Sequence, residues 1–423
     1  MKVHIKTWGC AASQSDGEIM AGLLKQAGHE LVADEDSADV VIANTCTVKN
    51  RVEVDELKEL NKLKSKGKKV IATGCLVQDK QHLNKLNGLS YVGLNSEGEI
   101  ARYVDEVARG EVVRVFSDKK LDRAGLPRLR KNPVVETVQI LQGCMSNCTF
   151  CATKLAKGNT YSFSEARILA QAESAIKDGC KEIWLTSQDN GTYGIDRETN
   201  IANLLQKVCA IPGDYFVRNG MANPQWIKKF RKELITAYKN EKVFKFLHIP
   251  VQSGSDSVLK AMARGHTAKD FKIIAEKFRK IFPEITIATD VICGFPSETE
   301  GDFEKTLELI REVKPDAINI SQFWPRPGTK AAEMKQLRGD VKKERSRQLT
   351  RLCDEITLEK NKKWIGKICK AVVDEQNEDG TFVARNASYK PVLLKAEGLK
   401  LGDFVTVKVK NAETKYLVGE LVN

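Results

Sequence analysis

The segment LQGCMSNCTFC places Cys144, Cys148 and Cys151 in a C-x3-C-x2-C spacing directly after a β-rich run. Three thiolates on one short loop can bind three irons of a [4Fe-4S] cube and leave the fourth iron without a protein ligand. An iron with a vacant position is a place for a substrate. A structural zinc site would ask for four ligands, and no fourth Cys or His follows nearby. The chain has eleven cysteines and no apolar run of a secretory signal at Met1 to Cys10, so metal binding is expected ahead of a disulfide framework. Cys180, Cys209, Cys293, Cys353 and Cys369 are scattered and read as small buried hydrophobes.

Cys10, Cys46 and Cys75 lie far apart in sequence, yet their contexts agree: VHIKTWGC, VVIANTC and KVIATGC. Each thiol follows the end of an expected strand within one or two residues. In a parallel sheet the C-terminal strand ends share one edge, where ligands collect. Three unrelated core cysteines would not show this repeated placement. A second three-thiolate site, again able to hold a [4Fe-4S] cluster with an open iron, is therefore expected.

The elements that must position these thiols fall into three groups. Residues 1–117 alternate strand-like runs with amphipathic ones, the α/β pattern of a Rossmann-like parallel sheet. From 118 to 133, DKKLDRAGLPRLRKNP carries six basic residues against two acidic ones and two prolines. It reads as a linker, with a phosphate contact as a secondary possibility. Residues 134–361 show strand-like runs at VETVQILQ, EIWLT, YFVRN, FKFLHI, ITIATDVI and AINIS, each followed by a helical stretch. Six βα units suggest a partial (β/α)6 barrel of the TIM type with its ligands at the C-terminal strand ends. Short strands broken by Gly and Asn over 362–423 suggest a small antiparallel barrel.

The loop cysteines, with the aromatic Phe150 before the last, resemble the signature of the radical S-adenosylmethionine (SAM) superfamily. That resemblance implies that SAM chelates the open iron and is cleaved by one electron to a 5′-deoxyadenosyl radical, with Phe150 near the adenine. A core aromatic under the loop is the plainer reading of Phe150. Over essentially the whole chain the order of motifs resembles the methylthiotransferases, whose third domain is the RNA-binding TRAM barrel. The matching pieces are GCAASQSDGE, NTCTV, GCLVQ, LTSQDNGTYG, HIPVQSGSDSVLKAMARGHT, TDVICGFPSETE and PRPGT. Ser13, where Asn is usual, and AKG at 156–158, where RG is usual, are departures. The SDGE flavour is closest to the archaeal and eukaryotic branch that modifies N6-threonylcarbamoyladenosine in transfer RNA.

The resemblance implies two clusters, a radical made at Cys144, Cys148 and Cys151, and sulfur delivery from the site at Cys10, Cys46 and Cys75. One SAM would be cleaved and a second demethylated per product. The substrate would be the adenosine immediately 3′ of the anticodon. Isopentenyladenosine in tRNA and a ribosomal-protein aspartate are the alternatives, and a non-catalytic iron–sulfur RNA-binding protein is the alternative of another class.

Gln188 and Gln252, at strand ends by the barrel mouth, could hydrogen-bond SAM, against a plain turn-capping role. Gly294 could admit the adenine where a Cβ would not. Arg218 could pair with the SAM carboxylate or form a structural ion pair. Arg326 could face the substrate opening or hold a turn, and His248 reads as a satisfied core residue. Lys and Arg exceed Asp and Glu by 68 to 56, a net charge of +12, which favours a polyanionic partner. With no apolar stretch of membrane-spanning length, a soluble cytoplasmic protein without a membrane partner is expected. An electron donor and a sulfur source complete the expected partners.

Overall fold

The computed structural model describes residues 1–47, 50–78 and 80–422. In the N-terminal region six strands form a parallel sheet: β1 (Lys2–Thr7), β2 (Glu30–Leu31), β3 (Val40–Thr45), β4 (Lys69–Gly74), β5 (Ser90–Val92) and β6 (Arg114–Val115). Alternate side chains of β3 serve opposite faces. Val40 and Ile42 pack under α1 (Ala11–Gln26) and α4 (Ile100–Ala108), while Val41 and Ala43 pack with Leu60 and Leu63 of α2 (Asn50–Ser65). The spatial order β2-β1-β3-β4-β5-β6 reverses between β1 and β3. A crevice opens at such a switch point, outside the carboxyl ends of the strands. Cys10 and Cys46 follow the two strands that flank it.

The expected barrel strands appear as β7 (Val135–Gln139), β10 (Glu182–Thr186), β11 (Phe216–Asn219), β12 (Phe246–His248), β13 (Thr286–Cys293) and β14 (Ala317–Gln322). A short antiparallel pair, β8 (Leu141–Gln142) with β9 (Tyr161–Ser162), sits beyond β7. The six strands divide into parallel trios, β11-β10-β7 and β12-β13-β14, bridged at Val217 and Val243. The sheet is thus an open barrel. Cys180, Cys209, Cys293 and Cys353 lie in the core between it and the surrounding helices, as the sequence suggested, whereas Cys369 is only half-buried, against the C-terminal core.

The C-terminal strands β15 (Ile368–Gln376), β16 (Phe382–Asn386), β17 (Pro391–Leu394), β18 (Phe404–Ala412) and β19 (Leu417–Leu421) close in the order β15-β16-β17-β19-β18. The expectation of an antiparallel barrel needs one correction. β17 pairs with β19 in parallel. Five strands form a closed ring here, and strict up-and-down alternation cannot be kept around an odd number.

This small barrel caps the floor of the large one. Phe404 packs near Phe216, Tyr389 near Phe244 and Phe246, and the Lys245 N–H donates to the Ala387 carbonyl at 2.7 Å. All these partners stand at or just before the N-terminal ends of barrel strands, so the mouth remains free.

The segment from 118 to 133 is a strap that spends four of its six cations inside the molecule, while Lys119 and Lys131 stand exposed. Arg123 is 1% exposed and pairs with Asp16 (2.9 Å) and Glu97 (3.1 Å) of the N-terminal region, while donating to Gln142 of the barrel at 2.6 Å. Arg128 reaches Glu136 at 2.8 Å, Arg130 reaches Glu136 and Asp178, and Lys120 donates to the Lys157 carbonyl. These four cations are therefore engaged internally rather than presented to phosphate.

Candidate functional site

At the barrel mouth the loop after β7 carries Cys144, Cys148 and Cys151, and the last of these is the N-cap of α5 (Ala152–Lys157). The loop is held from several sides. Gln188 accepts from the Gly143 N–H at 2.7 Å, so its carbonyl oxygen is used to fix the loop. Ser146 donates its N–H to Cys144 Sγ at 3.3 Å, and its hydroxyl receives the Trp226 ring N–H at 3.3 Å. Arg264 Nη1 donates to Cys148 Sγ at 3.3 Å. Asp189 Oδ2 lies 3.8 Å from Cys144 Sγ, with its other oxygen accepting from the Gly191 and Asn223 amides at 3.0 Å each.

Burial, with Asp189 adding to it, pushes the Cys144 thiol up to about 12, and burial also raises Cys151. Burial pushes Asp189 up to about 6. Buried thiols of this kind ionise on binding a cation, so loading the site releases protons.

Gln252 supplies the sign that a further group belongs here. Its backbone has φ +73°, a left-handed conformation uncommon for a residue with a side chain, and its Oε1 is buried without a hydrogen-bond partner. A buried orphan acceptor on strained backbone marks a position kept for a ligand. Such a pattern fits the aminocarboxylate or ribose of SAM.

Cys10, Cys46 and Cys75 converge at the sheet edge as the strand-end argument requires. Cys75 opens the short helix α3 (Cys75–Gln78), and Cys10 and Cys46 both add to burial in raising its thiol to about 12, while Lys157 opposes them. Two glycines allow the approach. A Cβ on Gly9 (φ +111°) would stand 3.1 Å from Cys46 Sγ, and one on Gly74 (φ +91°) would stand 2.3 Å from the Thr45 carbonyl oxygen. The Cys46 N–H donates to both oxygens of Glu56, at 3.0 and 3.1 Å, and burial pushes that carboxyl up to about 8. Thr47 Oγ1, beside Cys46, is buried without a partner.

No three His, Cys, Asp or Glu side chains among the described residues close around a single metal ion.

The two trios meet along one seam. Helix α3 packs against α5, so a helix headed by Cys75 lies on a helix headed by Cys151. Lys157, the last residue of α5, is buried at this seam, 3.4 Å from Asp16 Oδ2. Gln139 of the barrel donates to Asp16 Oδ1 at 2.7 Å.

Three expected residues belong elsewhere. Arg218 stands with its guanidinium 5.1 Å from the ring centroids of Trp184, Phe246 and Tyr389, so its charge is held by aromatic faces rather than aimed at a carboxylate. A Cβ on Gly294 would meet Lys342 Cγ at 2.5 Å, so the close approach there is made by the Gly339–Lys362 helix. Arg326 is buried in an ion pair with Glu53 at 2.8 Å and ties the barrel to the N-terminal region. Phe150 packs with Val258, Met262, Phe295 and Phe323 as a core aromatic. His248 is satisfied by Asp290 at 3.1 Å. Asp189 and Arg264, which touch the loop thiols, were missed, although both lie inside motifs already singled out.

This arrangement defines a three-part protein of the radical SAM class. Residues 2–92 match the family described as uncharacterized protein family UPF0004, 138–310 the radical SAM superfamily, and 360–422 the TRAM domain. Among solved structures, a radical SAM methyltransferase, TsrM, from Kitasatospora setae shares the fold with TM-score 0.58 at 14% identity, over 78% of this chain and 74% of that one. A cobalamin-dependent radical SAM enzyme, OxsB, gives 0.54 at 13%, over 82% and 56%. A probable threonylcarbamoyladenosine tRNA methylthiotransferase of Pyrococcus horikoshii is 43% identical over the whole of both chains. The human threonylcarbamoyladenosine tRNA methylthiotransferase is 38% identical over all of this chain and 74% of its own. The chain belongs to the threonylcarbamoyladenosine tRNA methylthiotransferase family.

Proposed function

We propose that this protein adds a methylthio group to carbon 2 of N6-threonylcarbamoyladenosine, immediately 3′ of the anticodon in tRNA, in the cytoplasm. The observation that carries the reading is the pair of three-thiol sites on the packed helices α3 and α5. Cys144, Cys148 and Cys151 would hold one [4Fe-4S] cluster, and Cys10, Cys46 and Cys75 the other. When bound, these clusters and two molecules of SAM supply a 5′-deoxyadenosyl radical, a sulfur and a methyl group. Gln252 would fix SAM through its free acceptor, and Asp189 and Arg264 hold the loop thiols in place. The working units would be 1–117, the strap 118–133, the barrel 134–361 and the TRAM barrel 362–423. Among the described residues no helix is long and apolar enough to cross a membrane.

Anaerobically loaded protein, given SAM, a reductant and tRNA carrying N6-threonylcarbamoyladenosine, should form the 2-methylthio nucleoside, read by mass spectrometry of the digested tRNA. Product on tRNA carrying isopentenyladenosine alone would reject the proposed substrate. Absence of 5′-deoxyadenosine in every arm would reject the radical chemistry.

A further inference from the structure

Beside the cysteine loop lies a groove of roughly 750 Å³, which Met145, Ser146 and Asn147 line on one side and Lys228, Lys260 and Arg264 on the other. Met145 is 41% exposed at the tip of the loop, between two of its thiols. The wall reaches the thiols directly: Arg264 donates to Cys148 Sγ at 3.3 Å and the Ser146 amide to Cys144 Sγ at 3.3 Å.

The rim is positive. Asp270 and Asp256 also line the groove, but each is turned toward backbone amides, of Thr267 at 3.0 Å and of Ala268 at 2.8 Å respectively. Lys228 is shared with Asp270 at 3.3 Å, whereas Lys260 on the wall and Lys229 beside Trp226 stand exposed. Trp226 offers no stacking platform. It is half-buried with its ring N–H on Ser146 and Lys229 over its face at 4.5 Å. An apolar tip and a covered ring suit a protein better than single-stranded RNA, which is bound through open aromatic faces and phosphate-tracking grooves.

We propose that this groove is the docking surface of an acidic one-electron carrier protein that reduces the site at Cys144, Cys148 and Cys151. The inference rests on the proposed radical function. For each turnover the carrier is oxidised by one electron. That electron reduces the sulfonium of SAM as its S–C5′ bond breaks, giving methionine and the 5′-deoxyadenosyl radical. Complementary charge raises the encounter rate, and salt weakens it.

The test compares reduced flavodoxin, an acidic flavoprotein, with dithionite as reductant for the loaded full-length protein. In the double variant Lys229→Glu and Lys260→Glu, 5′-deoxyadenosine formation driven by flavodoxin at low salt should fall about tenfold or more, within the range that electrostatic steering spans. The dithionite-driven rate and the affinity for tRNA should stay within about twofold, as expected of charges outside the active site. An unchanged flavodoxin rate overturns the proposal, and so does weakened tRNA binding with that rate intact. Should charge reversal reduce cluster loading, the double variant Lys229→Gln and Lys260→Gln carries the same comparison with a smaller expected loss. Failure of dithionite to cleave SAM in the unmodified protein would instead count against the proposed function.

Discussion

The two cysteine trios are brought together by opposite routes. Cys144, Cys148 and Cys151 lie on one loop, so their proximity is local and is set by backbone within a few residues. Cys10, Cys46 and Cys75 follow three separate strand ends and meet only because β1, β3 and β4 are adjacent and parallel. The first site therefore needs only its loop and the residues that buttress it. The second needs the whole sheet, and its seam with the barrel is held by the buried charges of Asp16, Arg123, Glu97 and Lys157. A local site should fail by loss of a ligand, and an assembled one also by loss of its scaffold.

The largest effect belongs to the local site. Ala at Cys144, Cys148 or Cys151 should reduce 5′-deoxyadenosine formation to background, because no neighbouring thiol on the loop can take the missing position. Iron bound at the other trio should remain, so anaerobically loaded variants should fall from about eight irons per chain to about four, by the four-iron cube each trio can hold. Loss of all iron would show that the two sites are not independent.

The assembled site can be attacked without touching a thiol. Asp16 is buried at 1% exposure and receives Arg123, Lys157 and Gln139. Replacing it with Asn leaves two buried cations under-compensated, and breaking such a network costs about 3–5 kcal/mol. Thermal unfolding should shift down accordingly, and iron should be lost from the N-terminal trio before the loop trio. Burial raises the Asp16 carboxyl, but Lys157 and Arg123 outweigh it and hold the group below its ordinary range. A depressed folded value means that the charge stabilises the fold at neutral pH, and this contribution fades as acid protonates the group below about pH 4. The gap between the variant and the parent should therefore be widest at neutral pH and narrow in acid. A gap that grows in acid would assign the stabilisation to another group.

Much of this contrast was already legible in the amino-acid sequence. The strand-end position of each N-terminal cysteine follows from period-2 runs that any parallel sheet must bury, and the loop spacing follows from ligand chemistry. What escaped is carried by contacts across long stretches of chain. Arg218 sits one residue from the end of a strand-like run, where a mouth residue would also sit. The rings that enclose its guanidinium at the barrel floor, Trp184, Phe246 and Tyr389, all lie outside that run. Gly294 needs no side chain because of Lys342, and the basic segment from 118 to 133 looked solvent-facing because Asp16, Glu97 and Glu136 lie outside it.

The smallest effect is a control remote from both trios. Tyr389→Leu removes one of three rings around Arg218 and should cost about 1–2 kcal/mol, the range of a desolvated cation–π contact. Iron content and SAM cleavage should not change. A loss of iron from either trio would mean that the floor and the mouth of the barrel are coupled.

The division of labour between the trios is tested most directly in the variant with Cys10, Cys46 and Cys75 all replaced by Ala, loaded anaerobically and given SAM, dithionite and tRNA. Iron and product are measured on the same sample, since loss of buried ligands can unfold a domain. The account predicts a folded protein with about four irons, one cube at the remaining trio, that forms 5′-deoxyadenosine and no 2-methylthio nucleoside. A folded protein with that iron content that still makes the methylthio product would contradict it.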